Sequence, residues 1–197
     1  MAHTTAVEEQ TQLITRHRFT VKDFLKMGEA GILAENARVE LIEGDVVDMA
    51  PIGSGHAGRV NLLIHFLSRA IGDAAIVSPQ NPIILSEYSE PQPDVTLLKP
   101  RADFYTRSHP EPDDVLLLIE VADSSVGYDR SVKIPLYAHY GIREVWLLDL
   151  QEKRLEVYRG LRRDHAEYQS VTHYRDGSVS PEALPDVVLN IADLLLA

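Results

Sequence analysis

The chain has no cysteine among its 197 residues. Disulfides, thiolate metal sites and cysteine nucleophiles are therefore excluded, and any bound metal must be held by oxygen or imidazole. Long apolar runs are missing too: nowhere do eighteen apolar residues follow one another, and the first residues carry no basic-then-apolar leader. Neither a membrane span nor secretion is expected, which makes a cytoplasmic protein the default. Positive charge is scarce. Nineteen Lys and Arg against thirty Asp and Glu give a formal net charge of −11, which works against non-specific attraction to phosphate backbones. The basic residues that do cluster, Lys153, Arg154, Arg159, Arg162 and Arg163, are interleaved with Glu152, Glu156 and Asp164 and read as a solvated hairpin. The eight histidines show no HxH or HExxH spacing, and Ser124 and Ser125 lie in no GxSxG context, so a histidine-built zinc site and a serine hydrolase both lack support.

What is present is an ordinary globular composition, 45% hydrophobic, in a chain long enough for one domain with a sizeable core. Residues 1–17 are polar and without apolar periodicity, a flexible N-terminal segment ahead of a single domain over 18–197. Thr20 with Asp23 predicts a capped helix holding Val21, Phe24 and Leu25. Arg38 to Ala50 predicts a hairpin turned at Glu43-Gly44-Asp45. The apolar positions Val60, Leu63, Ile64, Leu67 and Ile71 predict a helix from His56 to about Ile71. Short strands are expected at Ala75–Val77, Ile83–Leu85 and Val95–Leu98, and Lys99–Asp114 reads as an exposed loop or flap. A buried strand over Val115–Ala122 precedes a helix from about Tyr128 to Tyr140, capped by Gly141, and a further strand Glu144–Asp149, a parallel crossover. Pro135 removes the amide that would reach the carbonyl of Ser131, so the first turn of that helix is expected to be irregular. Leu155–Tyr158 and Tyr168–Val171 predict an antiparallel hairpin, and Ile191–Leu196 a closing helical turn.

Within this plan two acids stand in apolar company. Glu120 interrupts Val115-Leu-Leu-Leu-Ile119 and is followed by Val121 and Ala122. A carboxylate in such a strand must stay at a solvated end, take up a proton or meet a cation, because leaving it uncompensated costs several kcal/mol. Asp94 opens Val95-Thr-Leu-Leu98 in the same way, although Pro93-Asp94 is also an ordinary turn signal. Two carboxylates entering neighbouring strands are how oxygen sites for hard divalent ions are built. Arg130, Lys133 and Tyr137, at i, i+3 and i+7, share one face of the following helix and could lie over the end of the Glu120 strand. His56 follows Gly55 at the start of its helix, facing either a cleft or solvent. Gly53-Ser-Gly55-His-Ala-Gly58 matches a dinucleotide fingerprint literally, but the strand before it belongs to a hairpin and no acid ends the strand after it, so the glycines read as a loop into the helix.

Taken in order, Pro93-Asp94, Glu120-Val121, Asp129-Arg130, Lys133, Tyr137 and Gly141-Ile-Arg-Glu-Val-Trp-Leu-Leu-Asp149 resemble the Uma family of the PD-(D/E)XK nuclease superfamily. The front of the chain agrees through Phe19-Thr-Val21, Phe24-Leu25, Glu40-Leu-Ile-Glu-Gly44 and Pro51-Ile-Gly-Ser-Gly-His56, so the likeness spans roughly Arg18 to Tyr158. The resemblance implies an α/β, restriction-endonuclease-like fold with a central mixed sheet flanked by helices. It implies a metal-dependent endonuclease with Asp94 and Glu120 holding Mg2+ or Mn2+, and nucleic acid, in the first place DNA, as partner. The superfamily's signature lysine lies two residues beyond the second acid; Ala122 stands there, and Lys133 is the residue that could take its place from the helix. Glu40, Glu43, His56, Arg130 and Tyr137 are the supporting positions. Two other readings stay open: a non-catalytic nucleic-acid- or protein-binding module, and a metal-dependent hydrolase of RNA or nucleotides. A homodimer is expected on the general frequency of twofold assemblies.

Overall fold

The computed structural model describes residues 15–195; most of the expected N-terminal flexible segment, residues 1–14, and Leu196 of the expected closing turn lie outside them. Helix α1 (Val21–Glu29) starts on the capping box anticipated from Thr20 and Asp23, the Asp23 amide donating to the Thr20 hydroxyl at 3.1 Å. The hairpin of β1 (Val39–Ile42) and β2 (Asp45–Asp48) follows, and α2 (Ser54–Ile71) begins two residues before the expected start. Gly44 is required at the hairpin turn: its φ is +87°, and a Cβ there would lie 2.6 Å from that of Arg18.

The centre is a six-stranded mixed sheet in the order β3 (Ile76–Pro79), β4 (Val95–Leu98), β5 (Val115–Ala122), β6 (Val145–Asp149), β7 (Arg154–Arg162) and β8 (Glu167–Tyr174). Only β5 and β6 run parallel, joined by the predicted helical crossover; every other neighbour is antiparallel. The crossover is α3 (Val126–Tyr128), a π-helical turn over Asp129–Lys133, and α4 (Ile134–Tyr140), ended by Gly141 in the left-handed region. The wide turn answers Pro135: the Ile134 amide reaches back five residues to Asp129 O, which removes the demand for an amide at 135. A small pair, β9 (Ser178–Val179) with β10 (Leu189–Asn190), and α5 (Ile191–Leu195) complete the chain.

Both faces of the sheet are covered. Leu63 and Leu67 of α2 and Leu194 of α5 pack with Leu97, Leu117, Ile119 and Trp146 on one face. Ile134, Tyr137 and Ala138 pack with Leu118, Ala122 and Leu147 on the other. Burying apolar groups on both sides explains why β5 reads as an unbroken apolar run. Ile83–Leu85 is a correction: Ile83 and Leu85 are buried, yet the three residues form no strand, because their amides donate to Pro91 O, Pro110 O and Ser89 O along a loop. The hairpin β7–β8 is longer than expected, and its basic residues are not simply solvated: Arg154 pairs with Glu156 at 2.8 Å and Arg159 with Glu144 at 2.6 Å. Among the described residues no helix is long and apolar enough to cross a membrane.

Candidate active site

Glu120 alternates with Leu118 and Ala122, so it faces the sheet surface roofed by α4. Asp94 immediately precedes β4, whose register pairs Val95 with Ile119, and therefore stands across from Glu120. The backbone of the strand pair closes around the acids: the Val121 amide donates to Asp94 Oδ2 at 2.9 Å, and the Asp94 amide approaches Glu120 Oε2 at 3.4 Å. From the first turn of α2, His56 sets Nε2 2.8 Å from Asp94 Oδ1. Its hydrogen bond to Asp94 raises the imidazole above its usual value against the opposing effect of burial.

The helix supplies the cation. Lys133 Nζ lies 2.8 Å from Glu120 Oε1 and 3.4 Å from Glu40 Oε2, and the Tyr137 hydroxyl donates to Glu120 Oε1 at 2.5 Å. Lys133 is thus the lysine that reaches the acids in the absence of one at position 122. Burial opposes its charge, but Glu120 and Glu40 outweigh that and hold the ammonium above its ordinary range. Glu40 is placed by the hairpin and accepts the Gln92 amide at 3.2 Å. Asp129, not picked out beforehand as a site residue, joins them from the π-turn, with Ser125 donating to it at 2.7 Å. Its spacing of four from Lys133 was the available signal, because i and i+4 share a helix face.

Four carboxylates, Glu40, Asp94, Glu120 and Asp129, are therefore 4%, 8%, 3% and 5% exposed around one buried lysine. Negative charge exceeds positive there even with His56 protonated. Burial is the first cause that pushes Glu120 up to about 7, with Lys133 pulling it back and Asp94 and Asp129 pushing further. All four acids, Lys133 and His56 line one cleft of about 300 Å³.

Three expected supporting residues do not line the cleft. Glu43 fastens the β1–β2 turn, taking hydrogen bonds from Tyr140 at 2.6 Å and Ser89 at 2.9 Å and an ion pair from Arg18 at 3.0 Å. Arg130 turns away from Lys133 to Asp149 at 2.6 Å and Glu156 at 2.5 Å, because the π-turn separates side chains that a regular helix would align. Tyr137 touches Glu120 from inside the core.

The donor chemistry fits a hard divalent ion: two carboxylates on adjacent strands at the floor of an open cleft, with no sulfur and an excess of negative charge. Among the described residues no three acidic or imidazole side chains converge closely enough to hold an ion by themselves. The protein would supply one or two ligands and leave the others to water and substrate phosphate, as Mg2+ commonly requires.

Among curated proteins no significant match exists. A crystal structure described as a "putative nuclease" from Anabaena variabilis superposes with a TM-score of 0.68 at 18% identity, covering 90% of this chain and 98% of that one, which establishes a shared fold. A family model matches residues 21–192, nearly the whole described chain, and the protein belongs to that family, Uma2, described as "Putative restriction endonuclease".

Proposed function

We propose that the protein is a metal-dependent nuclease of the PD-(D/E)XK type that hydrolyses phosphodiester bonds in DNA, with Asp94 and Glu120 as the ligands of Mg2+ or Mn2+. The observation that carries this reading is the four buried carboxylates around one lysine at the floor of an open cleft, a surplus of buried negative charge that a divalent cation would relieve. The family description points the same way. Such an ion supplies activated water and charge neutralisation at the phosphate.

The chain's own residues divide the remaining work. Asp94 is held in orientation by the Val121 amide and His56, and Glu120 by Tyr137 and Lys133. Lys133, already charged and desolvated, is the group that offsets negative charge developing on the phosphate as water adds to phosphorus and the bond to the leaving oxygen breaks. Glu120 first, then Glu40 and Asp129, keep that lysine protonated. A second reading, a binding module without turnover, is favoured by one observation: both oxygens of Asp94 already have partners inside the chain. Calorimetric titration of Mn2+ into wild type and Glu120→Gln separates the two. Saturable binding lost in the variant, with Mg2+- or Mn2+-dependent cleavage of DNA lost in Asp94→Asn, supports the nuclease; DNA binding with no metal-dependent product on DNA, RNA or nucleotides supports the module.

A further inference from the structure

The loop joining β4 to β5 carries a feature that the cleft does not use. Phe104 and Tyr105 have φ of 49° and 60°, a left-handed conformation that bulky side chains rarely adopt. The loop is braced to hold it. The Phe104 amide donates to Arg101 O at 3.0 Å, and the Tyr105 hydroxyl donates to Lys99 O at 3.0 Å. The Arg101 guanidinium lies 3.6 Å from the centre of the Tyr105 ring and pairs with Asp103 at 2.6 Å. On this stem Phe104 is 70% exposed. For the isolated chain the residue is unfavourable twice, in its backbone and in its hydration.

Beside it lies a concavity of about 620 Å³ along the free edge of β3, walled by Ala75, Ile76, Val77, Pro100 and Phe104 itself. We propose that a second copy of the chain docks here, forming a twofold dimer in which the Phe104 ring of each copy enters the other's concavity beside β3. A projecting aromatic next to a hollow on one surface is self-complementary, the requirement for an isologous interface, and buried aromatic anchors dominate such contacts. Charge agrees. Asp73 lies on the rim and Arg107 on the loop, both exposed and neither with an ion-pair partner among the described residues, so the docked loop carries Arg107 toward Asp73 of the partner subunit. Arg101, the one cation lining the hollow, is already paired with Asp103, so the acid-rimmed apolar walls suit an aromatic ring better than a phosphate backbone. The surface lies at the Leu98 end of β4 and Asp94 at the other, so both clefts stay open in the dimer. This dimer is independent of the nuclease reading.

Light scattering on the eluting full-length protein across concentrations tests it, with twice 22.0 kDa as the expected mass. Phe104→Asn, which tolerates the left-handed backbone, should weaken association at least 100-fold without lowering Tm or changing the Mn2+ titration. Asp73→Lys or Arg107→Glu alone should weaken it less, and the two together should restore it. A monomeric wild type at about 100 μM, or a dimer untouched by Phe104→Asn and by both charge reversals, overturns the proposal. So does a monomer that binds a single-stranded oligonucleotide through Phe104, which would give this face to nucleic acid.

Discussion

One helix serves two groups of buried acids on the same sheet face, and the groups are opposite in character. From the π-turn, Lys133 reaches Glu120 and Glu40, while Arg130, three residues earlier, reaches Asp149 and Glu156. The second group is balanced. Two acids meet Arg130 and Arg154, and Tyr158 donates to Glu156 at 2.6 Å. Burial alone would raise Glu156, but the hydrogen bonds from Arg130 and Tyr158 outweigh it and hold the carboxyl below its ordinary value. Glu120, two strands away in the same row, is pushed up to about 7. The register aligns them, Glu120 with Leu147 and Leu147 with Glu156. Strand position is therefore not what separates them; the number of cations per acid and the opening to a cleft are. Balanced charge suits structure, whereas surplus charge facing a cleft leaves a place for a cation that the protein does not itself supply.

The sharpest way to break this comparison is to neutralise either of the two cleft acids proposed as ligands. Glu120→Gln or Asp94→Asn should abolish Mn2+ binding and metal-dependent cleavage while Tm moves by only a few degrees, checked by calorimetry and a plasmid nicking assay. Retained cleavage in either variant would end the assignment of these two as ligands. Next in size, Lys133→Met should cut cleavage about 100- to 1,000-fold, the usual consequence of deleting one charge-stabilising donor. The same change should leave Mn2+ affinity equal or higher, because it removes a competing cation from the acids. Falling affinity would mean that the lysine orders the site rather than acting on the phosphate.

The balanced group should respond in the opposite way. Arg130→Met leaves Asp149 and Glu156, 1% exposed each, with Arg154 as the one cation of the pair that held them, and should cost about 3 kcal/mol, the lower end of what breaking a buried pair costs, since Arg154 stays and the lost guanidinium is itself partly exposed. That corresponds to a fall in Tm of roughly 6 to 12 °C for a domain of this size. Mn2+ binding measured well below the transition should be unchanged. A lost metal site with an unaltered melting curve would reverse the roles of the two groups.

Much of this was legible in the chain, and what was not has physical causes. An acid within an apolar strand has few places to go, so Glu120 and Asp94 could be marked from the run of β5 and the start of β4. Helical spacing then put Lys133 and Tyr137 on a common face, and both meet Glu120. The same spacing placed Arg130 beside them. It goes elsewhere because a π-turn inserts a residue that regular periodicity does not contain, and Pro135 announced irregularity without its form. Asp129 stood in the motif that carries the resemblance but was given no role; its burial depends on α3 and the cleft wall, which are tertiary facts. Glu43 shares a motif with Glu40 but stands three residues on, past the end of β1, and faces Tyr140. Ile83 and Leu85 are apolar because they are buried, and burial alone does not say whether a ladder partner exists.

Glu90 extends the comparison to an acid with no cation against it among the described residues. It is buried, its Oε2 has no hydrogen-bond partner among the described residues, and its backbone is pinned to Leu41 in the hairpin, the Glu90 amide donating to Leu41 O at 2.7 Å. Burial pushes its carboxyl from 4.5 to about 7. The folded state therefore keeps a proton that the unfolded chain releases between those two values. Stability from this group is full below about pH 4.5, declines as pH rises, and is lost above about 7. Glu90→Gln stays neutral throughout and should flatten that slope, gaining about 1 to 2 kcal/mol at pH 8, less than the full linkage value because water reaches part of the group and the new amide also lacks a partner. Urea unfolding of both proteins at pH 5 and pH 8 reads the effect directly. Equal slopes with pH would show that Glu90 finds a partner on ionising, and would leave the surplus charge of the cleft as the one uncompensated acid cluster among the described residues.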